Sequence, residues 1–275
     1  MRKITLSLII IACIITSNAQ TAKTIDKVKC TCKYNYTIQQ DSTDITNKKS
    51  LIMLLQLGEK TSKFCSISTH IGDSVGYLIN NLSEQEQFNM FTKSISKYQT
   101  STLCSYTIYK NYPTKNTITL TDYIDKPYKS TQQTKFNWKI ITNSDTIINS
   151  FKCIKATTNF AGRNYNAWFT IQVPISDGPY KFCGLPGLII KINDNTNQHC
   201  FTLKSLTWSS NQSIFFIEDK RTEISSKNYV KAKSAKTAEL IKKVTNGDLI
   251  KFSDEDKKME AINRVKSENN FIERY

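Results

Sequence analysis

Glycine is scarce in this chain, and its uneven placement constrains the fold more than any other feature. The 275 residues include eight glycines, and four of them lie close together: Gly162, Gly178, Gly184 and Gly187. Three of the five prolines fall in the same stretch: Pro174, Pro179 and Pro186. Glycine is needed where φ is positive or where two backbones approach closely. The sequence therefore predicts a structurally demanding segment between about residues 136 and 208.

Within that segment, Leu185-Pro186-Gly187-Leu188 has the spacing of a type II turn, in which Pro186 presets φ and Gly187 supplies a positive φ. Such a turn splays strands, so we expect a bend into a strand over 188–193 rather than a tight hairpin. Turn flanks are usually polar, whereas Leu185 and Leu188 are apolar. Two interpretations stay open: the turn folds back over the core, or it is an apolar docking surface for a partner or ligand.

Alternation of apolar and polar residues predicts a β-rich chain. Residues 28–38 place Cys30, Cys32, Tyr34, Tyr36 and Ile38 on one face of a strand. An apolar run predicts a buried strand over 49–58, followed by a hairpin partner over 63–70. Further strands are predicted at 104–109, 117–123, 137–142, 150–158, 165–173, 188–193, 200–206 and 213–216.

Helices are fewer. Ser83 and Glu86 form a capping-box pattern before a short amphipathic segment, and two more helices are predicted over 231–244 and 257–269. The end of the chain is expected to fray. The predicted fold is mainly β: a curved, predominantly antiparallel sheet or open half-barrel with a few peripheral helices, two of them C-terminal.

The N-terminus has the pattern of a cleaved secretory signal peptide over residues 1–19, with two basic residues, an apolar run and small residues ending at Ala19. A lipid anchor at Cys13 is the alternative. The remaining residues, 20–275, are long enough for a single domain and contain no transmembrane stretch. We therefore expect an exported protein, periplasmic or extracellular.

Charge and cysteine content exclude several classes. The formal net charge is +15, but the basic residues are spread along the chain among acids, which argues against nucleic-acid binding. His70 and His199 are the only histidines and lack metal-ligand spacing, so no metal or other cofactor is expected. Structural disulfides are the default use of cysteine in an exported protein, and Cys153 with Cys183 is the favoured pair; free buried thiols are the alternative.

The central segment has a recognisable set of residues. Phe160-Ala161-Gly162-Arg163, Tyr165-Asn166-Ala167-Trp168 and Gly178-Pro179-Tyr180-Lys181 lead into Gly184-Leu185-Pro186-Gly187-Leu188-Ile189. Residues 136–203 resemble the GLPGLI family, exported bacterial envelope proteins named for that hexapeptide. The resemblance implies an exported protein of unknown function and supplies no catalytic residue.

Three side chains of this segment are candidates for a site, in addition to the motif residues Gly184, Leu185, Pro186, Gly187 and Leu188. Arg163 and Lys181 are its most closely embedded charges. Arg163 either satisfies carbonyls or a carboxylate such as Asp177, or it binds an anion. Trp168 alternates with the core-facing Tyr165, so it lies in a second packing layer or on a ligand surface.

No catalytic constellation is present, so we expect a protein that is not an enzyme. The favoured function is a binding or carrier module for an apolar ligand or protein segment, with Trp138, Trp168 and Trp208 lining a concave face. The alternative is an envelope assembly protein that acts through protein contacts; a hydrolase is the weakest hypothesis. The oligomeric state stays open.

Overall fold

The fold is seen in a computed structural model of the chain. It describes residues 21–78, 83, 85–86, 88–89, 92, 101–133, 135–208, 211–248 and 254–275. The predicted signal peptide, including Cys13, lies outside these residues.

Strands dominate the described residues. In chain order they are β1 (Thr21–Lys27), β2 (Cys30–Gln39), β3 (Lys48–Leu57), β4 (Ser62–Ser66), β5 (Thr107–Lys110), β6 (Thr117–Tyr123), β7 (Pro127–Gln133), β8 (Lys139–Ile148), β9 (Phe151–Phe160), β10 (Arg163–Thr170), β11 (Leu188–Asp194), β12 (His199–Trp208), β13 (Ser213–Glu218) and β14 (Thr222–Glu223). The helices are α1 (Ile67–Leu78), α2 (Ser226–Asn246) and α3 (Glu255–Lys266), with a 3-10 turn at Thr102–Cys104.

Twelve of these strands form one open sheet in the order β14-β7-β6-β5-β4-β3-β2-β12-β11-β10-β9-β8. Its neighbours are antiparallel except β14 and β7, which are parallel, and β1 pairs with β13 in a separate ribbon. The mainly β, predominantly antiparallel fold with two C-terminal helices is confirmed.

The alternation predicted for β2 decides which face of the sheet is buried. Tyr34 and Tyr36 are almost fully buried, whereas Lys33 between its buried neighbours is exposed. Tyr36 lies in the same cross-strand row as Ala167 of β10, by way of β12 and β11. We call this side of the sheet the inner face and the side that carries Trp168 the outer face.

The loop between β10 and β11 covers the inner face. Lys110 of β5 donates a hydrogen bond to the carbonyl of Gly178 in this loop at 2.5 Å. Ser62 of β4 donates to Asp177 at 2.6 Å, and Lys110 of β5 forms a buried ion pair with the same carboxylate. The loop thus packs against β4 and β5 on the inner face, and its side chains Tyr180, Phe182 and Leu185 are part of the main core.

Inverse γ-turns shape this loop. Hydrogen bonds of 2.8 Å run from Ile175 to Val173 around Pro174, and from Gly187 to Leu185 around Pro186. A central φ near −75° is what this turn needs, and proline supplies it. The expected type II turn is therefore wrong. Among the described glycines the positive φ values belong to Gly162, Gly184 and Gly247.

Gly187 is needed for a different reason. A Cβ placed there would overlap the carbonyl oxygen of Thr170 at the end of β10. Because the loop backbone passes directly against that strand end, only glycine fits. Leu185 and Leu188 are 1% and 0% exposed, so the turn folds back over the core, which decides between the two interpretations of its apolar flanks.

The remaining differences are local. The strand expected over 63–70 ends at Ser66, where α1 begins, and β7 and β1 were not predicted. The capping box forms, since the Ser83 amide donates to the Glu86 carboxylate at 3.0 Å and the Glu86 amide donates to Ser83 Oγ at 3.4 Å. Most of the segment that follows lies outside the described residues. Both C-terminal helices form, and α2 begins five residues earlier than expected, at Ser226.

Candidate functional site

The two buried charges of the motif segment bind the last residues of the chain. Arg163 donates to the side-chain oxygen of Asn270 at 2.6 Å and to the carbonyl of Phe271 at 2.9 Å. It also pairs with Asp194 at 3.0 Å, so its carboxylate partner is Asp194 and not the expected Asp177. Residues 269–275 form what we call the C-terminal segment.

Lys181 holds the same segment further along. Its ammonium group pairs with Glu273 at 2.6 Å, and the side chains of both are 2% exposed or less. The Tyr180 hydroxyl donates to the same carboxylate at 2.8 Å. Burial lowers the pKa of Lys181, while the Glu273 charge opposes that shift. Such a pair stays ionised inside a protein only when both charges have close, hydrogen-bonded partners.

Tyr165 and the backbone of the β9–β10 turn complete the contact. Tyr165 donates to the carbonyl of Ile272 at 3.0 Å, and the Arg274 amide donates to the carbonyl of Ala161 at 2.8 Å. A Cβ at Gly162 would overlap the carbonyl oxygen of Arg274. We call the four side chains Arg163, Tyr165, Tyr180 and Lys181 the tail groove. The expectation that the end of the chain frays is wrong for Asn270 and Glu273, which are both 2% exposed.

The C-terminal end of α2 and the helix α3 pack on each other, whereas Tyr229 near the start of α2 belongs to the main core. Val244 of α2 packs with Ala261 and Ile262 of α3 in a small cluster separate from the main core. A cleft of about 530 Å³ opens beside the segment, and its lining is mostly polar, including Ser42, Gln198, Asn270 and Arg274. The segment therefore lies in its groove without regular secondary structure, bordered by an open, mostly polar cleft.

The remaining motif residues have structural positions. Gly184 has φ of +94° beside Trp138, whose indole donates to the carbonyl of Cys183 at 2.8 Å. Pro186 is exposed, and its neighbours are buried. Cys153 and Cys183, the favoured disulfide pair, are free thiols, as are the other five described cysteines.

Trp168 lies on the outer face between two lysines. The ammonium groups of Lys155 on β9 and Lys191 on β11 are 5.6 and 5.2 Å from its ring centroid. Trp138 also packs against the core, where it stacks on Phe136, and Trp208 is 61% exposed at the end of β12. The three tryptophans therefore do not line one concave surface.

His199 sits beneath the tail groove. Its Nδ1 atom is 2.6 Å from the hydroxyl of Tyr36, and its amide donates to Asp194. Burial, with a smaller contribution from the Arg163 charge, lowers the pKa of His199 to about 3. The histidine is thus neutral in the folded protein near neutral pH.

This burial predicts a loss of stability in acid. The folded pKa lies below the unfolded value of about 6.5, so the unfolded chain takes up the proton first and stability falls as pH drops from 6.5 toward 3. Between pH 7 and pH 5 the loss should be about 2 kcal/mol. Urea unfolding of the native protein and of His199→Gln at both pH values measures it. An identical pH dependence in the two proteins contradicts the assignment.

No described helix is long and apolar enough to cross a membrane. Across the described residues, no three or more His, Cys, Asp or Glu side chains are grouped to hold a metal ion. Sequence reasoning found Arg163 and Lys181 as embedded charges but missed Asn270 and Glu273. The local pattern gave no signal for them, because their partners lie about a hundred residues earlier.

Residues 87–191 match the model of a family described as a protein of unknown function (Porph_ging). No curated protein matches the chain. Two solved structures titled as PNGF-II, in space groups C2 and P21, are 12% identical with TM-scores of 0.48 and 0.47. They cover 76% of this chain, which spans about a third of their length, 33% and 34%. At that similarity they indicate nothing about its activity.

Proposed function

We propose that this protein is a non-catalytic binding module whose tail groove accepts an extended peptide segment. The observation that carries the proposal is that four side chains of the groove each donate a hydrogen bond or ion pair to residues 270–273. A segment recognised through its backbone carbonyls and one carboxylate is bound as a peptide ligand would be.

The family match includes the tail groove but not the C-terminal segment that occupies it. All four groove residues lie within residues 87–191, whereas the C-terminal segment lies outside that match. The groove is thus part of the shared region, and its occupant here is a segment of the same chain. A partner's segment with a carboxylate at the position of Glu273 would use the same contacts.

An apolar-ligand carrier has less support. The loop between β10 and β11 occupies the inner face, and the cleft beside the groove is mostly polar. We therefore favour the protein segment over the apolar ligand as the partner of this module.

Peptide competition tests the proposal. A fluorescent peptide of the sequence Asn269–Tyr275 should bind saturably to full-length Asn270→Ala/Glu273→Ala protein, whose own segment is weakened. It should bind at least tenfold more weakly to the native chain, because the tethered segment competes at high effective concentration. Fluorescence anisotropy measures both affinities.

Two controls make the result specific. A peptide with Gln in place of Glu273 should bind the weakened protein less tightly, and Glu239→Gln, which changes an exposed ion pair on α2, should behave as the native chain. If the double variant does not fold, Arg274→Ala weakens the segment at an exposed residue. A folded variant that binds no peptide overturns the proposal.

The fuller assignment follows the motif. We propose that the chain is an exported protein of the GLPGLI kind, with a signal peptide over residues 1–19 and one domain over 20–275. Its segment-binding activity would then serve an envelope partner outside the cytoplasm. Mass spectrometry of the native N-terminus distinguishes cleavage after Ala19 from lipidation at Cys13.

A further inference from the structure

A second surface, on the outer face, has the composition of a binding site. Trp168 of β10 pairs across the sheet with Lys155 of β9 and Lys191 of β11, and Lys191 pairs with Thr202 of β12. Asn166 lies two residues before Trp168 on the same face. We call these five residues the tryptophan face. Trp168, Lys155 and Lys191 are all partly exposed.

The charge of this surface has one sign. Strands β2, β9, β10, β11 and β12 together contain a single acidic residue, Asp194, and it is fully buried against Arg163. The next strand, β8, pairs with β9 and adds the exposed Asp145, but among the described residues neither Lys155 nor Lys191 forms an ion pair with a carboxylate. Their ammonium groups are held instead against the indole ring, a cation–π contact that positions two positive charges about one ring.

We propose that the tryptophan face binds an acidic polysaccharide. When the two ammonium groups leave the indole to pair with carboxylates, the ring becomes a flat apolar platform on which the C–H face of a sugar ring stacks. The Asn166 amide and the Thr202 hydroxyl hydrogen-bond sugar hydroxyls, and the two lysines pair with carboxylates. An acidic peptide would pair with the two lysines, but it has no sugar ring to stack on the Trp168 indole and hydrogen-bond to the Asn166 amide at the same time. This site is independent of the tail groove, which lies on the inner face.

Binding to alginate, a carboxylated polysaccharide, tests the proposal on the full-length protein, with neutral dextran, poly-L-glutamate and phosphatidylglycerol vesicles as comparisons. Alginate should bind and quench tryptophan fluorescence. Added salt should lower the affinity for alginate, because the lysines are at the surface. Trp168→Ala should lower the alginate affinity at least tenfold. Trp208→Ala removes a more exposed tryptophan outside the face and should leave the affinity unchanged.

The outcomes separate the alternatives. Absence of alginate binding, or equal binding by Trp168→Ala, overturns the proposal. Equal affinity for poly-L-glutamate or the vesicles also overturns it, because charge alone then explains the binding. If Trp168→Ala does not fold, Lys155→Gln/Lys191→Gln keeps the ring and should lose both affinity and its salt dependence; unchanged binding by that variant likewise rejects the site.

Discussion

Gly187→Ala is expected to lower the free energy of unfolding by about 3 kcal/mol, because the new methyl group must displace backbone rather than side chain. The Cβ would overlap the carbonyl oxygen of Thr170, which ends β10. Relief requires moving either the strand end or the loop that fills the inner face. For a chain of this size the melting temperature should fall by roughly 6–12 °C, measured by calorimetry.

Gly184→Ala is the matched control, since it adds the same methyl group three residues earlier. Gly184 has a positive φ, and the nearest atom to its Cβ position is 3.8 Å away, on the Trp138 ring. Gly184→Ala should therefore lower the free energy of unfolding by about 1 kcal/mol, from the backbone conformation alone. If the two variants lose equal stability, close approach is not the reason for glycine at 187.

Lys181→Met is expected to cost about 3–5 kcal/mol, because it leaves the Glu273 carboxylate buried without its cation. Both side chains of this pair are almost completely excluded from solvent. Hydrogen exchange followed by mass spectrometry should show that the substitution speeds exchange in residues 269–275 more than in the rest of the chain, because the C-terminal segment has lost its charged anchor.

The double variant Lys181→Met/Glu273→Gln supplies the test. Glutamine still accepts the Tyr180 hydrogen bond, and no unpaired charge is left in the groove. The double variant should therefore regain most of the stability that the single variant loses. A double variant as unstable as the single one would show that the loss came from packing around the Lys181 stem rather than from the orphaned charge.

The sequence predicted those parts of the fold in which a local pattern coincides with burial. β2 alternates strictly because one of its faces packs on the core, and β11 is an apolar run because it is central. β7 was missed since Pro127–Gln133 has little apolar character and is only partly buried. In residues 63–70 the alternating pattern ran into α1, where Ile67 and Ile71 also suit a helix.

Only one side of the candidate site, the groove and not its occupant, could be predicted from the sequence. Arg163 and Lys181 stood out because charges are rare within an apolar, glycine-containing motif. Their partners Asn270 and Glu273 occupy an ordinary polar end of the chain, and nothing in one sequence links positions so far apart. The reason for Gly187 was equally hidden, since an approach by the Thr170 carbonyl is a property of the fold and not of its neighbours.

The docking of the C-terminal segment also sets the order in which this protein can finish folding. Lys181 is buried against Glu273, so a chain made from its N-terminus has an unneutralised lysine in its motif region until residue 273 has emerged. A chain terminated before residue 270 would lack the residues that cover its tail groove, and that groove would stay open to solvent.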